Sequence, residues 1–228
     1  MATACIIVAA GIGVRMGSRL PKALMPVAGR PLVAWAIEAA RASGVVDEFV
    51  IVAPRGRLRD IEAVVGADEH LKIVAGGETR AHSVAAGLEA ISEEVGVVLV
   101  HDAARPLATP ELFRAVYEAL SPRVEGAIAA APLADTLKRE RPDRTIGETV
   151  DRQGLWLAQT PQGFHVAALR SAYERLDDDE ISEATDCASI VERAGGTVVL
   201  VASSASNLKV TLPSDVALAE YLLAAAGA

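Results

Sequence analysis

An arginine and a lysine follow a glycine-rich loop near the start of the chain, at spacings suited to holding phosphate groups. The apolar run 6–10 leads into Gly11 and Gly13, and Arg15 and Lys22 come next. Glycines let a backbone turn tightly and bring its N–H groups against phosphate oxygens, and the two cations add charge that backbone dipoles do not supply. The segment therefore predicts a polyphosphate site at the end of a β-strand.

Two commoner glycine motifs do not fit these residues. A dinucleotide-binding loop needs a third glycine at position 16 and an acid after the second strand, whereas the chain has Met16 there, and a proline and an arginine follow the run 49–53. A Walker A loop needs a second glycine five residues after the first, and neither glycine of this loop has one. A plain turn between a strand and a helix explains the glycines but not Arg15 and Lys22.

The composition limits the kinds of partner. The chain has 228 residues and a formal net charge of −8. A protein that binds the nucleic-acid backbone needs a clustered basic face, so nucleic acid is excluded as a partner and any phosphate specificity must be local. The length suits one domain, and we treat residues 1–228 as a single unit.

The cysteines and the N-terminus indicate a cytoplasmic protein. Cys5 and Cys187 form no CxxC pair and have no histidine nearby in sequence, so we expect both to be small buried residues in a reducing compartment. The N-terminal apolar run lacks a preceding basic region and is broken by Gly11 and Gly13. It therefore predicts neither a signal peptide nor a membrane span.

Short β-rich runs alternate with amphipathic helical patterns along the chain. The strands are predicted at 5–9, 49–53, 97–100, 127–131 and 197–201. Helix signals lie between them, with Pro31 opening 32–42, Gly44 ending it, and Thr109 and Pro110 opening 112–120. Strands that are apolar on both faces and alternate with helices predict a doubly wound α/β fold with a mostly parallel sheet. Ligands of such sheets bind beyond the carboxyl ends of the strands, where the glycine loop and residues 101–106 both fall.

The stretch 133–160 breaks this rhythm and predicts a projecting β-arm. Alternating polar and apolar residues at 135–138 and 149–152 flank the charged block 139–144, which suits the solvated tip of a hairpin. A lone two-stranded arm is marginally stable in water, so we expect it to pack against a second subunit.

Taken together, these blocks resemble the 2-C-methyl-D-erythritol 4-phosphate cytidylyltransferase family. The resemblance runs nearly end to end, through 9–16 with 21–22, 76–84, 100–106, 135–138, 149–152, 159–162, 185–186 and 207–211. It implies a homodimeric enzyme that uses Mg²⁺ and joins CTP to 2-C-methyl-D-erythritol 4-phosphate with release of pyrophosphate. The attacking phosphate monoester has a second pKa of about 6, so no general base is needed and no histidine of the chain is assigned to catalysis.

The resemblance also implies a role for particular residues. The catalytic cations are Arg15, Lys22 and Lys209. The CTP-binding residues are Ala9, Ala10, Gly11, Gly13, Gly77, Glu78, Ser83 and Asp102. The acceptor-binding residues are Asp102, Arg105, Thr136, Arg152 and Thr160, of which Thr136 and Arg152 come from the partner's arm. Asp102 is also the metal-ligand candidate, with the metal held mainly by phosphates.

Two alternatives stay open at this stage. A cytidylyltransferase acting on another polyol phosphate, such as ribitol 5-phosphate, shares the glycine loop, the block 101–106 and the arm; Thr136 and Arg152 favour methylerythritol phosphate. A catalytically silent nucleotide-binding homologue is the other alternative, and the presence of Arg15, Lys22, Asp102 and Lys209 argues against it.

Overall fold

A computed structural model describes residues 1–11, 13 and 20–226 of the chain. The strands are β1 (Ala2–Val8), β2 (Pro26–Val27), β3 (Arg30–Pro31), β4 (Glu48–Ala53), β5 (Leu71–Ala75), β6 (Val95–Asp102), β7 (Gly126–Pro132), β8 (Leu137–Glu140), β9 (Ile146–Val150), β10 (Trp156–His165) and β11 (Val198–Ala202). The α-helices are α1 (Leu32–Ala42), α2 (Leu58–Val65), α3 (Arg80–Ala90), α4 (Pro110–Glu118), α5 (Val166–Arg175), α6 (Asp178–Glu183), α7 (Cys187–Arg193) and α8 (Pro213–Ala226). A short 3-10 helix covers Lys22–Leu24.

Seven strands form the central sheet, in the order β11-β7-β10-β6-β1-β4-β5. β10 runs antiparallel to β6 and β7, and the other neighbouring pairs are parallel. The predicted doubly wound, mostly parallel α/β fold is confirmed. All five predicted strands are present, and β5 and β10 are the two strands of this sheet that the sequence analysis did not predict.

Core residues lie on both faces of the sheet, which explains the continuous apolar strands. Along β1, Ile6 belongs to one buried cluster and Ile7 to another, because successive side chains of a strand point to opposite faces. The first cluster packs α3, α5 and α7 against the sheet, and the second packs α1 and α4. Burial on both faces therefore holds the carboxyl ends of the strands in fixed positions.

The predicted helix signals are confirmed. α1 begins directly after Pro31, and Gly44 follows its end with φ of 72°. The Thr109 hydroxyl accepts a hydrogen bond from the Leu112 N–H at the start of α4, and Pro110 occupies the first turn. Such local signals determine helix ends because capping satisfies backbone groups that lack partners within the helix.

The arm is shorter than predicted. β8 and β9 pair as a separate two-stranded hairpin, with the charged residues 141–145 at its turn. The end of the predicted arm, from residue 156 onward, instead belongs to β10 in the central sheet. Cys5 and Cys187 are unpaired and buried, as predicted. No helix within the described part of the chain has the length and apolar composition to cross a bilayer.

Candidate active site

A cavity of about 500 Å³ opens where β1, β4, β5 and β6 end. It lies at the edge at which the sequence analysis placed a ligand site. The predicted residues that line it are Ala9, Ala10, Gly11, Lys22, Gly77, Glu78, Ser83, Asp102 and Lys209. The fold thus brings together residues that lie far apart in the chain.

Glycines allow the loops around this cavity to approach each other closely. A Cβ on Gly76 would lie 2.5 Å from the Ala10 Cβ and 2.9 Å from the Ser83 Oγ, both far too short for non-bonded atoms. Gly13 has φ of +68°, and a Cβ there would lie 3.0 Å from the Lys22 Cβ. Glycine is therefore required at position 76, where the loop after β5 contacts the loop after β1. It is also required at position 13, where the loop after β1 contacts Lys22.

Asp102, the last residue of β6, is the electrostatic centre of the site. Its side chain is only 8% exposed, and each carboxylate oxygen accepts from a different cation. Arg80 Nε donates to Oδ1 at 3.0 Å, and Lys209 Nζ donates to Oδ2 at 2.6 Å. Burial opposes ionisation of this carboxyl group, but the charges of Arg80, Lys209 and Arg105 outweigh it and hold the pKa of Asp102 well below its usual range.

A chain of hydrogen bonds fixes the protonation of His101, which is fully buried. The Asp102 N–H donates to Thr160 Oγ1 at 3.0 Å, so the Thr160 hydroxyl is available to donate to His101 Nδ1, also at 3.0 Å. His101 Nδ1 is then an acceptor, and Nε2–H faces the Arg105 carbonyl oxygen at 3.3 Å. Burial lowers the pKa of His101 to about 4, helped by Arg105 and Arg80 and opposed by Asp102. His101 is therefore a neutral structural residue at pH 7.

We expect the stability of the protein to fall between pH 6.5 and pH 4 because of His101. An unfolded histidine titrates near pH 6.5, whereas native His101 has a pKa of about 4, so only the unfolded state gains a proton in this window. The resulting loss is about 3 kcal/mol, complete near pH 4. Urea unfolding of His101→Gln at several pH values should show a shallower decline than the parent. His70→Gln is the control, because the His70 side chain is 67% exposed; equal slopes for all three proteins would contradict the assignment.

A second, smaller cavity of about 170 Å³ adjoins the first. Arg80, Asp102 and Lys209 line both cavities and form the wall between them. Arg105 and Thr160, two of the predicted acceptor-binding residues, line the smaller one. The Thr160 hydroxyl already bonds within the protein, so its direct contact with a substrate stays a prediction.

A buried amide network positions Arg105 and Lys209. Asn207 Nδ2 donates to the side chain of Gln159 at 2.9 Å and to the Thr160 carbonyl oxygen at 3.0 Å. The Asn207 carbonyl oxygen accepts from Arg105 Nη1 at 2.6 Å. Because Asn207 precedes Lys209 by two residues, this network fixes the segment that carries the lysine.

Three of the predicted residues do not line the larger or the smaller cavity, and a fourth, Arg15, lies outside the described residues. Gly13 is near Lys22 but is not among the residues lining the larger cavity. Thr136 and Arg152 are exposed on the arm and line neither cavity, and Arg152 Nη1 donates to the Ala134 carbonyl oxygen of the same arm.

Two arginines of the larger cavity were not assigned from the sequence. Arg55 follows β4, and its Nε donates to the Gly76 carbonyl oxygen at 3.0 Å. Arg80 is the first residue of α3, where the helix dipole disfavours a cation. An arginine at the first position of a helix therefore indicates that its charge serves another purpose. In this structure the Arg80 charge pairs with Asp102.

Comparison with known proteins agrees with this arrangement. The family model described as 2-C-methyl-D-erythritol 4-phosphate cytidylyltransferase matches residues 3–225. A relative with that name from Synechocystis sp. is 42% identical over 96% of this chain and 95% of its own length. One from Microcystis aeruginosa is 43% identical, over 96% of this chain and 97% of its own.

A solved structure extends the comparison to the fold. The crystal structure of 2-C-methyl-D-erythritol 4-phosphate cytidylyltransferase from Thermus thermophilus superposes with a TM-score of 0.78. It is 34% identical in sequence, and the match covers 97% of this chain and 98% of that one. The sequence match and the fold therefore agree over almost the whole length. This chain belongs to the 2-C-methyl-D-erythritol 4-phosphate cytidylyltransferase family.

Proposed function

We propose that the chain transfers the cytidylyl group of CTP to 2-C-methyl-D-erythritol 4-phosphate, a step of non-mevalonate isoprenoid precursor synthesis. The products are 4-diphosphocytidyl-2-C-methyl-D-erythritol and pyrophosphate. The observation that carries the proposal is the family match over residues 3–225. The convergence of Lys22, Asp102 and Lys209 on one cavity at the sheet edge supports it.

We assign the larger cavity to CTP. Its end near Ala10, Gly76 and Ser83 is closely packed, because a Cβ on Gly76 would overlap Ala10 and Ser83, and we place the flat base against this stretch of backbone. Gly11 and Lys22 line the cavity, and we place the phosphates beside them, where the positive charge of Lys22 is favourable. The cytosine is therefore assigned to the Gly76 end and the triphosphate to the Lys22 end.

We assign the smaller cavity to the acceptor phosphate. Three cationic side chains, of Arg80, Arg105 and Lys209, line it with two carboxylates, of Asp102 and Asp186, so positive charge is still in excess before substrate binds. A dianionic phosphate monoester fits that excess charge. Its second pKa is about 6, so it attacks without a base, which agrees with the neutral, fully buried His101.

The reaction is a displacement at the α-phosphorus of CTP. An acceptor phosphate oxygen forms a bond to this phosphorus, and the bond to the bridging oxygen of the β-phosphate breaks. The electron pair leaves with pyrophosphate, so no proton transfer is needed at neutral pH. The protein must bring two anions together and stabilise the negative charge in the transition state, which is the work assigned to Lys22, Lys209 and Arg15.

Nucleotidyltransferases generally use a divalent metal ion, and we propose Mg²⁺ here. Within the described part of the chain, no three or more His, Cys, Asp or Glu side chains are placed to hold a metal. Asp102 lines both cavities, whereas Glu78 lines only the larger and Asp186 only the smaller, which fits a Mg²⁺ ion held by the Asp102 carboxylate and mainly by substrate phosphates and water. When bound, such an ion offsets negative charge on the phosphates. The cytoplasmic location stays a prediction.

We further propose that the enzyme works as a homodimer in which each arm completes the partner's site. Thr136 and Arg152 line neither cavity of their own chain. Exposed apolar residues lie on the arm and at the adjoining start of β10, namely Ile146, Leu155, Trp156 and Leu157. Neighbouring apolar side chains that are exposed to solvent are typical of a protein–protein interface.

Mixing two inactive variants tests this shared site. Lys22→Ala and Arg152→Ala subunits should each be weakly active, whereas a mixed dimer has one intact site, made from Lys22 of one chain and Arg152 of the other. Random exchange makes half of the dimers mixed, so we expect recovery to about one quarter of the parent rate. Mixed dimers that form, as native mass spectrometry detects them, but recover no activity would overturn the shared site.

Pyrophosphate release tests the reaction itself. The parent enzyme is incubated with CTP and Mg²⁺, and methylerythritol phosphate and ribitol 5-phosphate are supplied separately. Release with the former alone is expected. Release with ribitol 5-phosphate alone would keep the chemistry but change the acceptor, and CTP binding without release would indicate a silent homologue.

A further inference from the structure

Arg80 stands between the two cavities and is paired with the central carboxylate. Its Nε lies 3.0 Å from Asp102 Oδ1, and its Nη1 lies 3.6 Å from the sulfur of Cys187, the first residue of α7. On the opposite side of Asp102, Lys209 Nζ lies 2.6 Å from Oδ2. One carboxylate is thus shared by two cations of different kinds.

The two cations differ in how freely they move. The Arg80 side chain is 20% exposed and is held at two of its nitrogens, whereas the Lys209 side chain is 42% exposed and carries its charge on a flexible stem. Lys209 is therefore the cation that has room to leave Asp102 when an anion enters the site. Arg80 is the cation that stays.

The cost of that movement depends on Arg80. If Asp102 had Lys209 as its sole partner, moving the lysine would leave a buried carboxylate uncompensated, which is strongly unfavourable. With Arg80 in place, the carboxylate keeps a partner throughout. Arg105 also faces Asp102 from the loop after β6, but Nη1 of that arginine already donates to the Asn207 carbonyl oxygen.

Two further observations argue that Arg80 is present for its charge. It begins α3, where the helix dipole disfavours a cation. Its Nη2 is buried and has no hydrogen-bond partner among the residues that the structure describes. A purely structural arginine would have its nitrogens satisfied, because a buried donor without a partner costs free energy.

We propose that Arg80 is a positioning residue: it is the permanent counter-ion of Asp102, and it allows Lys209 to exchange its ion pair with Asp102 for a substrate phosphate. The proposal rests on the proposed function for the identity of that phosphate. Its structural half, that Arg80 weakens the hold of Asp102 on Lys209, does not depend on the reaction.

A double-mutant cycle tests the functional half. Arg80→Gln should lower kcat/KM for the acceptor by at least about tenfold in the parent, but by less than about threefold in an Asp102→Asn background, because the charge that Arg80 balances is then gone. Arg80→Lys keeps the charge and should recover part of the loss. Arg170→Gln is the control, since Arg170 Nη2 also anchors α3, through the Leu88 carbonyl oxygen, away from both cavities.

Competitive acetylation of lysines, read by mass spectrometry, tests the structural half without any activity. In Arg80→Gln the Lys209 amine should be held more tightly by Asp102, so its acetylation relative to Lys72 should fall at least about threefold. Lys72 is a suitable reference because it pairs with Glu48 at the other end of the sheet.

The outcomes separate the two proposals. The role of Arg80 would be overturned if Arg80→Gln lowered kcat/KM by the same factor in the parent and in the Asp102→Asn background. It would also be overturned if the acetylation of Lys209 relative to Lys72 did not change. A lower melting temperature with unchanged kcat/KM would show a merely structural role. If the parent releases no pyrophosphate with either acceptor, the proposed function fails, and the Arg80 inference is still decided by the acetylation ratio.

Discussion

Replacing Lys22 by alanine should lower kcat by about 10²- to 10³-fold and leave the folded state almost unchanged. Lys22 begins the short 3-10 helix beyond the glycine loop and lines the larger cavity. In the proposed function the Lys22 charge lies beside the phosphates of CTP. It stabilises chiefly the negative charge that develops at the α-phosphorus, so kcat should fall more than the affinity for CTP. Alanine keeps the Cβ that packs closely against Gly13.

Steady-state kinetics together with thermal unfolding checks this expectation. Lys72→Ala is the matched control, because it removes a lysine from the opposite end of the sheet and should keep kcat within about twofold of the parent. Lys22→Arg should have a kcat between those of Lys22→Ala and the parent. Arginine keeps the positive charge, but its planar guanidinium group holds that charge at a different position from the lysine ammonium group. Near-normal turnover in Lys22→Ala would remove this lysine from the mechanism.

Much of the fold was predictable because its signals are local. The five predicted strands are apolar on both faces, as strands inside a parallel sheet must be, and caps such as Thr109 mark helix starts. β5 was missed because the charged Lys72 interrupts its short apolar run. β11, the other edge strand, is also only partly buried, but all of its residues are apolar, so it was predicted.

β10 was missed for a different reason. Its polar residues and Pro161 are unusual for a strand between two neighbours, since proline removes a ladder hydrogen bond. The strand accommodates Pro161 because its pairing with β7 is interrupted between Ala158 and Gln162. Only the three-dimensional pairing reveals this interruption, so the sequence placed these residues in the arm.

The site was predictable where its residues follow strands, and not where distant segments meet. The glycine loop and Asp102 lie at strand ends, which the topology brings together. The contact of Arg80 with Asp102 joins α3 to β6, and the contact of Asn207 with Gln159 joins the segment after β11 to β10. Neither pair has a fixed sequence spacing, so no motif could have indicated it.

Asp102→Asn should lower kcat/KM by about 10²-fold, because the carboxylate holds Arg80 in place and keeps Lys209 at the site until the substrate phosphate binds, and misplacement by about 1 Å can cost that much. The amide keeps the size of the side chain but removes the negative charge among Arg80, Arg105 and Lys209. Removing one member of a buried ion pair lowers the free energy of unfolding by about 3–5 kcal/mol. We expect about 3 kcal/mol here, because the Lys209 side chain is 42% exposed. The variant should therefore lose both activity and stability.

The pH dependence of that stability loss distinguishes charge from packing. The native pKa of Asp102 lies below its unfolded value of about 3.9, so its stabilising contribution is complete above about pH 4 and disappears as the pH falls further. Urea unfolding should show the largest gap between parent and Asp102→Asn at pH 7 and a narrowing gap at pH 3. Asp60→Asn, which breaks a surface pair with Arg57, should change stability by less than about 1 kcal/mol at either pH. A gap for Asp102→Asn that is constant with pH would mean that the carboxylate contributes shape and hydrogen bonds, and that its charge is not what holds the two cations.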